Sequence, residues 1–384
     1  MDANAVALIA GGLIFLASLI SLRLGFSIAI IEIALGFLAG NLFGFAPEPW
    51  MVYLAGFGGI VLTFLAGAEV DIQLLRAKAK ESLLIGGISF ILPLLAGFAF
   101  AYYVLGWPLQ ASLITGIALS ANSIAVVYSV LVETGLSKTA IGKIIMASTF
   151  VTNIGTALAL SVLFLKPDLA TLEFAAISAV VIFLAAKYSD HLFNSRTYKN
   201  KVVESELKYI FLLLLILAYF ASVAQSQAIL PAFILGLLMS PSISGTFDIT
   251  ASVKTRLRTV AYALITPFFF LLAGLRASIS LIIASWGAFV SLFAIKQATK
   301  FIGAYLPAKR YLPKGEMYTS LLMSTGLTFG TISAVFGLQS GYIDAAQFSV
   351  LIAVEIASAV IPTIIAERWF RPTHMEDVVG HGRS

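Results

Sequence analysis

Long apolar runs closed by short polar breaks recur along the whole chain. Thirteen of them are long enough to cross about 30 Å of hydrocarbon as helices. They fall at about 4–22, 26–44, 51–70, 82–104, 109–132, 139–165, 170–187, 207–224, 227–242, 257–275, 279–306, 316–338 and 345–367. Span 9 is short, and Pro231 is expected to interrupt it. The two-residue alternation of a membrane β-barrel is absent. The pattern predicts an all-α polytopic membrane protein of about thirteen transmembrane helices, and the lipid bilayer is its first partner.

The polar residues left inside the runs carry the next signal. Span 5 is interrupted by Ser120-Ala121-Asn122-Ser123, and span 12 by the stretch from Ser324 to Thr331, with two glycines and four Ser or Thr. Span 6 holds Thr149, Thr152, Asn153 and Thr156 at its middle. Unwound backbone at membrane depth is tolerated where it is buried in protein or lines a cavity. Freed backbone groups and half-helix dipoles can then hold ions. The bland alternatives are small-residue packing faces and hydrogen bonds to a neighbouring helix.

Composition agrees with the pattern. Of 384 residues, 60% are hydrophobic and 11% charged, where a soluble domain carries about 25% charged. There is no Cys, which excludes disulfides, thiolate metal sites and Cys nucleophiles. His191, His374 and His381 lie in polar segments, so no histidine cluster ligates a metal within the membrane. Neither paired Asp nor a Gly-x-Ser-x-Gly elbow occurs within the spans, so an enzyme is not expected.

Twenty of the 24 Lys and Arg fall in alternate loops. The positive-inside rule makes those loops cytoplasmic and predicts an N-terminus outside and a C-terminus inside, in a cell (inner) membrane. These basic loops explain the net charge of +5, and no nucleic-acid partner is needed.

The chain also repeats itself. Gly36-Phe37-Leu38-Ala39-Gly40 in span 2 is echoed by Gly236-Leu237-Leu238-Met239-Ser240 in span 9. Leu65-Ala66-Gly67 in span 3 is echoed by Leu272-Ala273-Gly274 in span 10. Equivalent positions lie seven spans apart, an odd number, so the halves run in opposite directions. This predicts one membrane domain over 1–384: a first repeat (1–165), a linker helix and cytoplasmic loop (166–206), an inverted second repeat (207–367) and a cytoplasmic tail (368–384). Inverted repeats recur among secondary transporters.

Few charges remain inside. Glu32 and Glu355 are the acids well within spans, and Lys296 and Lys300 the cations. A Lys at the bilayer centre costs about 2.5–3.5 kcal/mol. The two lysines share one helical face, so at least one is expected to be neutral or neutralised. The competing reading for both is snorkelling to the interface.

The motifs Glu32–Gly40, Thr63–Asp71, Pro231–Gly236, Pro267–Leu275, Lys300-Phe301-Ile302-Gly303 and Ser324–Gly337 together resemble the monovalent cation:proton antiporter-2 family, the Kef-type exchangers, over nearly the whole chain. The resemblance implies the sodium/proton antiporter fold with crossed broken helices, spans 5 and 12. It implies a homodimer in which a core of spans 4–6 and 11–13 moves as an elevator, exchanging Na⁺ or K⁺ for H⁺ without a cofactor. It implies an ion-binding Asp on span 6 and a Lys on span 11, which Lys300 matches. Many such relatives append a nucleotide-binding domain; no Gly-rich phosphate loop follows span 13 here, so no NAD control is expected.

The chain departs from this pattern where it reads Thr152-Asn153 in place of Thr-Asp. Asn does not titrate, so the competition between proton and cation is lost at that atom. Three accounts stay open: the role has moved elsewhere, the Asn is an inactivating change, or the protein is an uncoupled or degenerate transporter. Glu355 is expected to pair with Lys300 or to supply the displaced carboxylate; the alternative is a peripheral, protonated residue. The expected ion site comprises Asn122, Ser123, Thr152, Asn153, Lys300, Thr328 and Glu355. An uncoupled channel of the same fold and a sodium-coupled organic-anion carrier are the competing functions.

Overall fold

The computed structural model describes residues 2–165, 168–194, 204–224, 226–244 and 252–372. Every regular element among them is helical. The first nine α-helices are α1 (Ala3–Leu24), α2 (Ile28–Phe43), α3 (Pro49–Ala68), α4 (Ile72–Ala77), α5 (Ala79–Ala99), α6 (Leu109–Ser120), α7 (Ile124–Glu133), α8 (Ala140–Leu163) and α9 (Leu169–Asn194). Nine follow: α10 (Ser205–Val223), α11 (Ile229–Ser244), α12 (Val253–Val260), α13 (Thr266–Arg276), α14 (Ile279–Ala284), α15 (Trp286–Tyr311), α16 (Glu316–Met323), α17 (Thr328–Gln339) and α18 (Ala345–Trp369). Short π-helical turns, Phe100–Val104 and Ala261–Ile265, extend α5 and join α12 to α13.

Ten helices or broken pairs among the described residues are long and apolar enough to cross a membrane. They coincide with ten of the thirteen expected spans. Of the other three, spans 2 and 9 are shorter apolar helices, Ile28–Phe43 and Ile229–Ile243, and span 11 lies in α15, which carries the two buried lysines. Pro231 does not interrupt span 9. It sits in the first turn of α11, where no intrahelical bond needs its missing N–H. The expected linker helix is α9; the loop after it, from 195 to 203, and the tail from 373 lie outside the described residues.

The chain forms two compact units. One comprises Met1–Pro47, Ile72–Thr156 and the chain from Phe270 onward. The other comprises Glu48–Asp71 and Ala157–Phe269. The first contains both interrupted spans, which are among the most buried; α1 is the least buried.

Within each unit one close helix crossing depends on paired glycines. In the first, Gly36 of α2 lies on the Leu271 carbonyl and Gly274 of α13 on the Ile33 carbonyl. In the second, Gly67 of α3 lies on the Phe233 carbonyl and Gly236 of α11 on the Phe64 carbonyl. A Cβ at any of the four overlaps backbone, which no side-chain rotation relieves. Small residues let helix backbones approach where lipid supplies no hydrophobic drive for association. The four glycines are those of the sequence echo: 36 with 236, and 67 with 274.

Candidate ion site at two helix breaks

Both interrupted spans are broken where the polar residues fall. α6 ends at Ser120, Ala121 turns to extended backbone (ψ 150°), and α7 starts after Ser123. Ser123 caps α7, its hydroxyl accepting from the Val126 N–H at 3.4 Å. In the second span α16 ends at Met323, and α17 restarts at Thr328 after Leu327 (φ −164°, ψ −70°). The breaks meet: Ser123 Oγ and Thr328 Oγ1 are 3.4 Å apart.

α15 supplies the cations. Lys296 and Lys300 are both 0% exposed, so neither snorkels. Lys300 Nζ donates to Asn122 Oδ1 at 2.8 Å in the first break and to the Met323 carbonyl at 3.4 Å in the second. Met323 binds further: its sulfur accepts from Asn122 Nδ2 at 3.4 Å and from Thr149 Oγ1 at 3.6 Å. One residue at the end of a half-helix therefore ties together α6–α7, α8 and α15.

Glu355, on α18, is also 0% exposed and does not pair with Lys300 as expected. It takes Lys296, whose Nζ donates to Oε1 at 2.6 Å. Four residues, about 6 Å, separate the two lysines along α15, and the packing of α18 selects between them. Asp344 caps the start of α18. Its side chain accepts from Gln347 N at 2.8 Å while the Gln347 side chain accepts from Asp344 N at 3.0 Å, a reciprocal capping box.

The Glu355 carboxylate lies over the first turn of α17. A Cβ on Gly330 would overlap it, and one on Gly326 would come within 2.6 Å of Oε2. Helix starts present unsatisfied N–H groups and the positive end of the dipole, which favour a negative group. Oε2 is buried without a hydrogen-bond partner. Lys296, Gly326 and Gly330 were not among the expected site residues. The glycines' spacing on span 12 was visible, but the reason for it is the Lys296–Glu355 pair on two other helices: Lys296 and Glu355 both crowd Gly326, and Glu355 crowds Gly330.

Span 6 contributes differently from expectation. The hydroxyls of Thr149, Thr152 and Thr156 donate to carbonyls of their own helix at 2.8–2.9 Å. Asn153 is 1% exposed and its Oδ1 has no partner. It stands one turn beyond Thr149, on the helix face that reaches Met323. The structure thus joins Asn122, Ser123, Thr328 and Lys300 directly and Glu355 through Lys296, and leaves Thr152 and Asn153 without a bond to either lysine.

A family model described as sodium/hydrogen exchanger, transmembrane, matches residues 11–371. The "Probable Na(+)/H(+) antiporter 3" of Methanocaldococcus jannaschii is 26% identical over 329 residues, covering 83% of each chain. The "Na(+)/H(+)-K(+) antiporter GerN" of Bacillus cereus is 24% identical over 321 residues, covering 81% of each. The solved structure of the sodium proton antiporter MjNhaP1 from M. jannaschii shares the fold, with a TM-score of 0.67 at 16% identity, over 96% of this chain and 97% of that one. The chain belongs to the sodium/hydrogen exchanger family. These matches stop at that level and do not single out the Kef-type branch.

Proposed function

We propose that this member of the sodium/hydrogen exchanger family exchanges a monovalent cation, Na⁺ or K⁺, for protons by alternating access, with its ion site at the meeting point of the two helix breaks. The observation that carries the reading is the buried cluster of Lys296, Lys300, Asn122 and Glu355 at that point. Ion pairs and amides at membrane depth mark ion pathways. Both relatives and the solved structure are named as sodium antiporters, and potassium accompanies sodium in one.

Several finer readings go with it. Two inverted repeats, 1–165 and 207–367, are supported by the four crossing glycines, which pair 36 with 274 and 236 with 67. The elevator reading takes a core of spans 4–6 and 11–13, which carries both breaks, as the moving part. A homodimer in a cell membrane, with the N-terminus outside, rests on the sequence motifs and the distribution of basic residues. The Kef-type branch rests on the motifs alone.

The test is sodium-driven proton movement in proteoliposomes over a pH series, comparing the chain with Asn153→Asp. Exchange by the chain itself supports the proposal and shows that Asn153 is not the coupling atom. Exchange only after Asn153→Asp makes this an impaired exchanger, and ionic current without proton coupling makes it a channel.

A further inference from the structure

A span-6 Asn leaves the exchange without its expected carboxylate, and the structure sets one beside the second helix break, on α18; the other buried acid, Glu32, lies on α2. Two independent observations converge on Glu355: its carboxylate lies against the first turn of α17, a twelve-residue helix, in the space kept open by Gly326 and Gly330, and its Oε2 is fully buried with no partner. One oxygen holds Lys296 and the other is free to take a ligand. The charged groups around it are few. α6, α14 and α17 contain no titratable residue, and α15 supplies Lys296 and Lys300. On α16, Tyr318 is turned to Glu367, and Glu316 stands at that helix's first position, two turns from the break.

Resting on the exchanger reading, we infer that Glu355 is the cation-binding carboxylate of this chain and that Lys296 is the group that surrenders the proton. A buried ammonium is stable while a carboxylate faces it, and unstable once that carboxylate is taken. Cation entry therefore converts Glu355–COO⁻···⁺H₃N–Lys296 plus Na⁺ into Glu355–COO⁻···Na⁺ plus H₂N–Lys296, with one proton released to water. The N–H bond of Lys296 breaks, its electron pair stays on nitrogen, and the site is neutral before and after. Exchange at this pair is one cation for one proton and moves no net charge. Lys300, held by the neutral oxygens of Asn122 and Met323, takes no part in the step and orders the breaks beside it.

The experiment uses the full chain in phosphatidylethanolamine/phosphatidylglycerol vesicles. Sodium-driven proton movement is measured against pH, with the membrane potential clamped and free. Glu355→Gln alone leaves Lys296 buried and unpaired, so the informative variant is Glu355→Gln with Lys296→Met, which removes both charges and keeps the volume. The expected result is wild-type exchange at equal rates with and without the clamp. Its sodium half-saturation rises about tenfold for each pH unit lowered on the acid side, as one-proton linkage requires. The double variant is expected to elute as one species, melt cooperatively and exchange nothing. Glu355→Asp keeps a carboxylate and is expected to exchange with a shifted half-saturation. A folded double variant with wild-type exchange, a pH-independent half-saturation, a net current, or equal loss in folded Glu355→Asp and the double variant would each overturn the assignment while leaving the exchanger reading intact. A silent wild-type chain overturns both.

Discussion

Substituting Gly330 with Ala puts the cradle of Glu355 to the sharpest test. The added methyl overlaps the Glu355 carboxylate, with Cδ and Oε2 inside contact distance and Oε1 at 2.6 Å. The carboxylate is fixed between α17 and Lys296, so relieving the overlap means giving up the ion pair. Removing one side of a buried pair costs about 3–5 kcal/mol, because the other charge is left uncompensated. Gly→Ala inside a helix by itself gains about 0.5–1 kcal/mol. The pair dominates, and Gly330→Ala is expected to lose on the order of 2–4 kcal/mol, the difference of those two terms. Gly87→Ala is the control, since nothing lies within 4 Å of its Cβ; it should be neutral or slightly stabilising. Thermal unfolding in detergent, followed by tryptophan fluorescence, reads the difference. Shortening the acid relieves the overlap, so Glu355→Asp is expected to recover stability when combined with Gly330→Ala. A Gly330→Ala protein as stable as the Gly87→Ala control, or a double variant no better than Gly330→Ala, would refute the geometry.

Three further outcomes are expected. Gly36→Ala drives a methyl into the Leu271 carbonyl; backbone cannot step aside, so folded yield should collapse, whereas Gly11→Ala, with open space around it, should express normally. Met323→Leu keeps volume but removes the sulfur that accepts from Asn122 and Thr149; two weak bonds of about 0.5–1.5 kcal/mol each are lost, and exchange rate should fall more than folded yield, read by transport against size exclusion. Tyr318→Phe deletes a 2.8 Å bond to Glu367 that ties α16 to the end of α18; a bond to a charged group is worth about 1.5–3 kcal/mol, and thermal unfolding in detergent should show a loss of that order.

Much of this protein is written one residue at a time. Hydrocarbon forces backbone polar groups to be satisfied within a segment, so apolar runs become helices wherever they fall. The breaks at Ala121–Ser123 and Ser324–Leu327 were legible for the complementary reason: polar residues and glycine at membrane depth need a buried, non-lipid setting. That Lys296 and Lys300 share one face also followed from spacing alone; that both are buried did not, since snorkelling was equally open. Tertiary structure decided what spacing leaves degenerate. Two lysines one turn apart present the same face, and only the packing of α18, with its carboxylate in the gap at Gly326 and Gly330, gives Glu355 to Lys296 and leaves Lys300 to the amide of Asn122 and the carbonyl of Met323. The thioether of Met323 carried no signal of its own, because an apolar side chain becomes a junction only when other elements, here the first break and α8, bring polar atoms to it. Local sequence determines which groups cannot face lipid; the packing of distant helices determines which partner each of them finds.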